Sequence, residues 1–244
     1  MTMVPDHTPD HAMVLAAGLG LRMRPITDTI PKPLVSVGGR TMLDRALDHL
    51  DRAGVTRKVV NSHWLGEKIA AHLADRADIA LSPESTLLET GGGVAQALPL
   101  LGDGPFYVVN SDIIWTDGPQ GSALLRLARA WDDARMDALL LLQPTATALG
   151  YDGAGDFFLN EDAIPVRRGQ KDSAPLLFSG VQILSPRLFA QAPAGKFSLN
   201  LLYDRALAAG RLAGLVHDGR WYHVGTPAAL PQVERALRQE HTQP

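Results

Sequence analysis

Residues 12–17, Ala-Met-Val-Leu-Ala-Ala, form an unbroken apolar run that stops at Gly18-Leu19-Gly20. With no polar position in it, both faces of such a strand must be covered, which is the pattern of a strand inside a parallel sheet. Glycine then lets the chain turn tightly and pass close to a ligand. The next stretch is basic, with Arg22, Arg24 and Lys32. Cations after a glycine turn at the carboxyl end of a strand stand where open α/β sheets bind ligands. Backbone N–H groups in such a turn suit phosphate oxygens, and Arg or Lys supplies the countercharge.

Two familiar glycine motifs fail here. No lysine falls at the P-loop spacing, and the third glycine of a GxGxxG fingerprint is replaced by Met23. An ordinary strand-to-loop turn with solvated arginines is therefore the competing reading. Pro25, Pro31 and Pro33 weigh against it, because they stiffen the loop and hold Lys32 between two prolines.

The remaining chain alternates. A helix begins at Thr41, with Thr41 as its cap, and carries Leu43, Ala46, Leu47 and Leu50 on one stripe until Gly54. Strand, helix and strand follow at 57–61, 64–73 and 78–82. This alternation argues for a parallel sheet covered by helices. Further strands are expected at 105–109, 137–142, 178–184 and 212–217, a hairpin near Gly155–Val166, and helices near 121–133 and from Ser198. The last helix is expected to be capped by Thr226, with Pro227 at its first position and Leu230, Val233 and Leu237 docking it. A chain of 244 residues, 45% hydrophobic, can build a sizeable core. With a formal charge of −3 and no cysteine, it carries no sign of a nucleic-acid surface and excludes disulfides, thiolate metal sites and a cysteine nucleophile. No apolar run reaches membrane-spanning length, and residues 1–10 read as a disordered tail without a signal-peptide core, so a soluble cytoplasmic protein is the default.

Two further stretches stand out. Leu87-Leu88-Glu89-Thr90-Gly91-Gly92-Gly93 puts three glycines where a helix should start, which suits either a flexible loop or a flat ligand such as a nucleobase lying close to the backbone. Asn110-Ser111-Asp112 follows the apolar strand Tyr107-Val108-Val109, and an aspartate there can hold Mg²⁺ or simply form a turn.

Together, Leu15-Ala16-Ala17-Gly18-x-Gly20-x-Arg22-Met23-x-Pro25, Pro31-Lys32-Pro33-Leu34, Leu88-Glu89-Thr90-Gly91-Gly92-Gly93 and Asn110-x-Asp112 resemble the signature of the sugar-1-phosphate nucleotidylyltransferases. The likeness extends through Ser82-Pro83-Glu84, Gly155-Asp156-Phe157, Phe178-Ser179-Gly180 and Val224-Gly225-Thr226, over about residues 11–238. It implies a Rossmann-like three-layer α/β sandwich, its mixed and mostly parallel sheet covered by helices on both faces. A single domain is expected over 11–244, with a nucleotide-binding half at about 11–142, a sugar-binding half at about 143–226 and a C-terminal helix at 227–239.

The implied reaction is attack of a sugar-1-phosphate oxygen on the α-phosphorus of a nucleoside triphosphate, with UTP the leading donor. The attacking phosphate is already an anion, so charge neutralisation and positioning replace a general base. The resemblance assigns Arg22 to the β/γ-phosphates, Lys32 to the α-phosphate and Asp112 to Mg²⁺, with Arg24 either assisting or facing solvent. Ala16, Ala17, Gly18, Gly20, Glu84, Thr90 and Gly91 would surround the base and ribose; Glu84 would accept from uracil. Asn110, Gly155, Asp156, Ser179 and Gly180 would line the sugar, with Lys196 at the sugar phosphate or solvated. His223 stands where the family usually has a second metal-holding aspartate. Imidazole suits Mn²⁺ better than Mg²⁺. His223 therefore ligates a softer metal, hydrogen-bonds beside Asp112, or marks a binding protein that has lost catalysis; Asp218 is the alternative carboxylate. Guanylyl transfer to a heptose phosphate is the sibling reading. A monomer is expected, without nucleic-acid or membrane partners.

Overall fold

In the computed structural model, residues 8–162 and 164–242 are described. The first half alternates: β1 (His11–Leu15), a ribbon of β2 (Ser36–Val37) and β3 (Arg40–Thr41), α1 (Met42–Arg52), β4 (Arg57–Ser62), α2 (Gly66–His72), β5 (Ile79–Pro83), α3 (Glu89–Ala97) and β6 (Phe106–Asn110). The second half adds β7 (Ile113–Trp115), α4 (Ala123–Ala130), β8 (Ala138–Pro144), β9 (Ala148–Leu149), β10 (Phe157–Leu159), β11 (Pro165–Arg167), β12 (Leu176–Leu184), α5 (Asn200–Ala208), β13 (Leu212–Val216), β14 (Trp221–His223) and α6 (Leu230–Thr242).

Strands β6, β1, β4 and β5 lie side by side and parallel. β12 joins them antiparallel on β6, pairs β8 on its other edge, and β13 lies parallel to β8. The result is one nine-stranded mixed sheet running through both halves. Side chains alternate across it. Ala12, Val14, Val60, Tyr107 and Val109 join one core with Leu43, Leu47 and Leu50 of α1 and Leu124 of α4. Met13, Val59, Phe106 and Val108 join the opposite core with Val94 of α3 and Leu202 of α5. Helices therefore cover both faces, as the apolar strands require. Each fully buried Leu or Val contributes roughly 1.5–3 kcal/mol.

The local signals act as the sequence leads one to expect. Thr41 Oγ1 accepts from the Asp44 N–H (3.0 Å), and Gly54 turns away at φ 84°. The hairpin forms between β10 and β11. Two terminal expectations differ. The Thr226 side chain makes no cap; a 3₁₀ turn, Pro227–Ala229, leads into α6 instead. Of the tail expected to be disordered, residues 1–7 lie outside the described residues, whereas the Asp10 carbonyl accepts from both Thr56 and Arg57 N–H (3.0 and 3.1 Å). Among the described residues, no helix is long and apolar enough to cross a membrane.

His49 on α1 is buried against Trp115, their rings stacked at 4.0 Å. Its Nδ1 faces the Arg52 guanidinium (3.0 Å) and its Nε2 faces the Trp115 carbonyl (3.0 Å), the partners of a neutral imidazole. Burial, helped by Arg52 and opposed by Asp117, lowers its pKa to about 4. An unfolded histidine titrates near 6.5, so the unfolded chain binds the extra proton first as pH falls. This stability is complete above about pH 6.5 and is lost as pH drops toward 4. Urea titrations should show roughly 1–2 kcal/mol less stability at pH 5 than at pH 7 from this group, and His49→Gln should flatten that slope.

Candidate active site

The carboxyl ends of β1, β4 and β6 lie together, with Leu15 paired to Asn110 and Val14 to Val60. The loops after these strands therefore meet at one edge of the sheet. The basic loop folds as 3₁₀ turns over 21–23, 26–28 and 32–34. Gly20 makes this return path feasible. Its φ is 64°, and a Cβ there would lie 2.9 Å from Thr27 Cγ2 and 3.1 Å from Lys32 Cβ. Its carbonyl accepts from Thr27 Oγ1 (2.7 Å) and the Met23 N–H (2.8 Å). Met23, the residue that breaks the dinucleotide fingerprint, is fully buried with Val35, Tyr222 and Val233 and anchors the loop. Its side chain has a packing task that a third glycine would leave undone.

Lys32 is thereby carried inward. It is 9% exposed, and its Nζ donates to Asp112 Oδ2 at 2.8 Å. Burial would raise the Asp112 carboxyl, but Lys32 outweighs it and the pKa is lowered. The carboxylate is thus held charged. Arg24, for which two roles stood open, pairs with Asp28 at 3.0 Å on the exposed side.

A cleft of about 240 Å³ opens beside this pair, floored by Ala16, Ala17 and Gly18 and walled by Glu84 and Thr90. A relay of hydrogen bonds sets its shape. The Ala16 N–H donates to Asn61 Oδ1 (2.6 Å), Asn61 Nδ2 donates to Glu84 Oε1 (2.7 Å), and the Leu88 N–H donates to Glu84 Oε2 (2.8 Å). Glu84, expected to meet the base, has both oxygens engaged within the protein and is 5% exposed. Asn61, which the sequence marks only as the residue ending the strand at 57–61, is the pivot of this relay.

The triple glycine, expected to lie close to a base, is packed against protein. It forms the first turns of α3. A Cβ on Gly91 would lie 2.3 Å from the Phe197 ring, on Gly92 2.3 Å from the Gly195 carbonyl, and on Gly93 2.7 Å from Glu84 Oε1. The Gly91 and Gly92 N–H groups both donate to the Phe197 carbonyl (2.9 and 3.1 Å). Protein atoms, rather than open space, occupy the volume these glycines leave. Gly18 differs: nothing lies within 4 Å of its Cβ position.

Asn110 lines the cleft, and Gly180 (φ 87°) packs on its side chain, with a Cβ position 3.0 Å away. The other residues expected at the sugar make contacts within the protein. Ser179 is fully buried, its Oγ accepting from the Val181 N–H (3.2 Å) and its carbonyl from Trp221 Nε1 (2.8 Å), at the irregularity in β12. Gly155 (φ 78°) lies against the Ala174 carbonyl, 2.1 Å from its Cβ position. Asp156 Oδ2 accepts from the Phe178 N–H (2.8 Å). Gly155, Asp156, Ser179 and Gly180 are absent from the cleft wall.

β14 pairs antiparallel with β7, placing His223 opposite Ile113, the residue after Asp112. That register is why a residue far along the chain stands beside the first carboxylate. His223 and the exposed Arg22 border an adjoining cleft of about 260 Å³. Burial lowers the His223 pKa; Asp112 opposes this, while Lys32 and Arg22 reinforce it. The ring is therefore neutral and able to accept or ligate. Asp218 is committed elsewhere, to Arg126 and the Gln120 N–H (2.9 Å). Among the described residues, no group of three or more His, Cys, Asp or Glu side chains could hold a metal ion. One carboxylate and one imidazole fit a divalent ion that takes its remaining ligands from water and substrate phosphates.

A family model described as nucleotidyl transferase matches residues 11–153. The N-acetylmuramate alpha-1-phosphate uridylyltransferase of Caulobacter vibrioides is 43% identical over 95% of this chain and 98% of its own length. Its counterpart in Neisseria meningitidis serogroup B is 39% identical over 91% of this chain and 96% of its own. Among solved structures, a putative glucose-1-phosphate thymidylyltransferase from Bacillus anthracis superposes with a TM-score of 0.79 at 16% identity, covering 93% of this chain and 95% of that one, a likeness of fold.

Proposed function

Because the chain belongs to the nucleotidyl transferase family, we propose that it transfers uridylyl from UTP to N-acetylmuramate-1-phosphate, giving UDP-N-acetylmuramate and pyrophosphate. The observation that carries this reading is the pair of buried Lys32 and half-buried Asp112 at 2.8 Å, set between the glycine turn and the cleft. It joins a fixed cation and a fixed carboxylate where phosphates would lie.

The acceptor phosphate oxygen attacks the α-phosphorus, the bond to the β-phosphate oxygen breaks, and pyrophosphate leaves. Lys32 meets the charge that grows on the α-phosphate, acting from a largely buried position where water screens it less than at the surface. Arg22 takes the β- and γ-phosphates at the mouth of the adjoining cleft. Ala16 to Gly18 receive the nucleoside, in an orientation set by Asn61 and Glu84 from behind. Asp112 would hold a divalent ion, with His223 as its neighbour, and when bound that ion supplies further neutralisation of the phosphates. Mg²⁺ is the proposed ion and Mn²⁺ the alternative favoured by imidazole. The protein is proposed to act as a cytoplasmic monomer in cell-wall recycling.

Pyrophosphate release tests this. UTP with N-acetylmuramate-1-phosphate should give the largest kcat/KM among UTP, GTP, CTP, ATP and dTTP, and chelation should abolish it. Greater activity with GTP and another sugar-1-phosphate would replace the substrate assignment. If His223 ligates the metal directly, Mn²⁺ should outperform Mg²⁺, and His223→Asp should reverse that order. Equal activity of both proteins with both ions would leave His223 outside the metal shell.

A further inference from the structure

The cleft wall is acidic for a site that must take a phosphorylated acceptor. Glu84, Glu89 and Asp112 line it with a single cation, Lys32, which is already paired with Asp112. The adjoining cleft adds Arg22 and Asp152. An acceptor carrying a carboxylate besides its phosphate needs a further cation. Nearby arginines are occupied: Arg24 by Asp28, Arg167 by Asp204, and Arg168 by the Gly155 and Lys171 carbonyls.

Lys196 is placed differently. Its ion pair is with Glu89 at 3.4 Å, longer than a hydrogen bond and on exposed side chains, so it is easily exchanged. Its backbone is nevertheless tightly located. The Phe197 carbonyl accepts from Gly91 and Gly92, the Phe197 N–H donates to the Leu88 carbonyl (3.1 Å), and the Leu199 N–H donates to Thr90 Oγ1 (3.0 Å). The Gly195 carbonyl fills the space left at Gly92. Four hydrogen bonds and this packing contact thus fasten residues 195–199 to the helix turn whose Glu89 and Thr90 form the cleft wall. Glu89 itself has φ 60°, a left-handed conformation that costs a non-glycine residue roughly 1–2 kcal/mol. Glycine would hold this turn without strain, yet a carboxylate aimed at Lys196 stands there.

We propose that Lys196, paired with Glu89 of the cleft wall, recognises a carboxylate on the acceptor sugar and so sets acceptor specificity. This rests on the uridylyl-transfer reading above, whose acceptor differs from N-acetylglucosamine-1-phosphate by a lactyl ether that carries a carboxylate. Glu89 orients the ammonium group before substrate arrives, and the acceptor's carboxylate then takes over that contact.

The test compares these two acceptors with UTP, by pyrophosphate release. Lys196→Met should lower kcat/KM for the carboxylate acceptor by roughly 10- to 100-fold, mainly through KM, and leave the lactyl-free acceptor within about twofold. Lys196→Arg should restore most of the preference. The side chain is 60% exposed, so the fold should tolerate both changes; thermal melts check this. Equal losses on both acceptors, or none on either, would overturn the assignment while leaving uridylyl transfer intact. Turnover of neither acceptor by the unaltered protein would remove the reading itself, and Lys196 with it.

Discussion

Lys32→Ala is expected to reduce turnover by about 10²- to 10³-fold, with UTP affinity changed by less than about tenfold. The buried ammonium is aimed at the position where charge grows during transfer, so its removal falls on the transition state more than on the bound nucleotide. Equilibrium UTP binding and single-turnover pyrophosphate release separate the two effects. A selective loss of affinity, with turnover kept, would place Lys32 on the ground-state phosphates instead. The variant also leaves Asp112 without its countercharge. Burial would then dominate and its carboxyl pKa should rise from its present lowered value. Combining Lys32→Ala with Asp112→Asn removes that unpaired charge and should recover any lost stability without recovering turnover.

Gly92→Ala is expected to cost about 3 kcal/mol, the upper end of overpacking, and to lower Tm by about 6–12 °C. The added carbon would sit 2.3 Å from the Gly195 carbonyl oxygen, which is backbone and cannot swing aside. Gly18→Ala is the matched control. No atom lies within 4 Å of its Cβ position, so stability should stay within about 0.5 kcal/mol, while KM for UTP rises because the methyl enters the cleft. Similar melting temperatures for the two alanine variants would show that the glycines do not divide into packing and ligand-facing sets.

That division was hidden in the sequence. A run of glycines states that something approaches the backbone closely, but not whether a ligand or another segment does so. Gly91 and Gly92 meet residues 195–197, about a hundred positions away, and only the closed fold identifies them as the neighbour. Glu84 was legible as an acceptor for the base through the family resemblance, yet its two donors, Asn61 and Leu88, come from separate elements. Ser179 and Asp156 likewise read as polar residues at a strand end. Their hydroxyl and carboxylate instead satisfy backbone N–H groups at an irregular strand, which a linear pattern does not mark.

What the sequence determined by itself was set by short-range physics. Apolar runs of β1, β4 and β6 can be satisfied only inside a covered sheet; Thr41 and Gly54 bound a helix through their own backbone neighbours; prolines and Gly20 bend one loop so that Lys32 points inward. The reaction class followed from the resemblance of the Gly18–Pro25, Pro31–Leu34 and Asn110–Asp112 stretches to the sugar-1-phosphate nucleotidylyltransferases. What only the tertiary structure decided was partnership across long separations. The β7–β14 register places His223 beside Asp112, and the hydrogen bonds of residues 195–199 bring Lys196 to Glu89 of the cleft wall. Each depends on which surfaces pack together once the sheet has formed, and side-chain identity along the chain does not encode that choice locally.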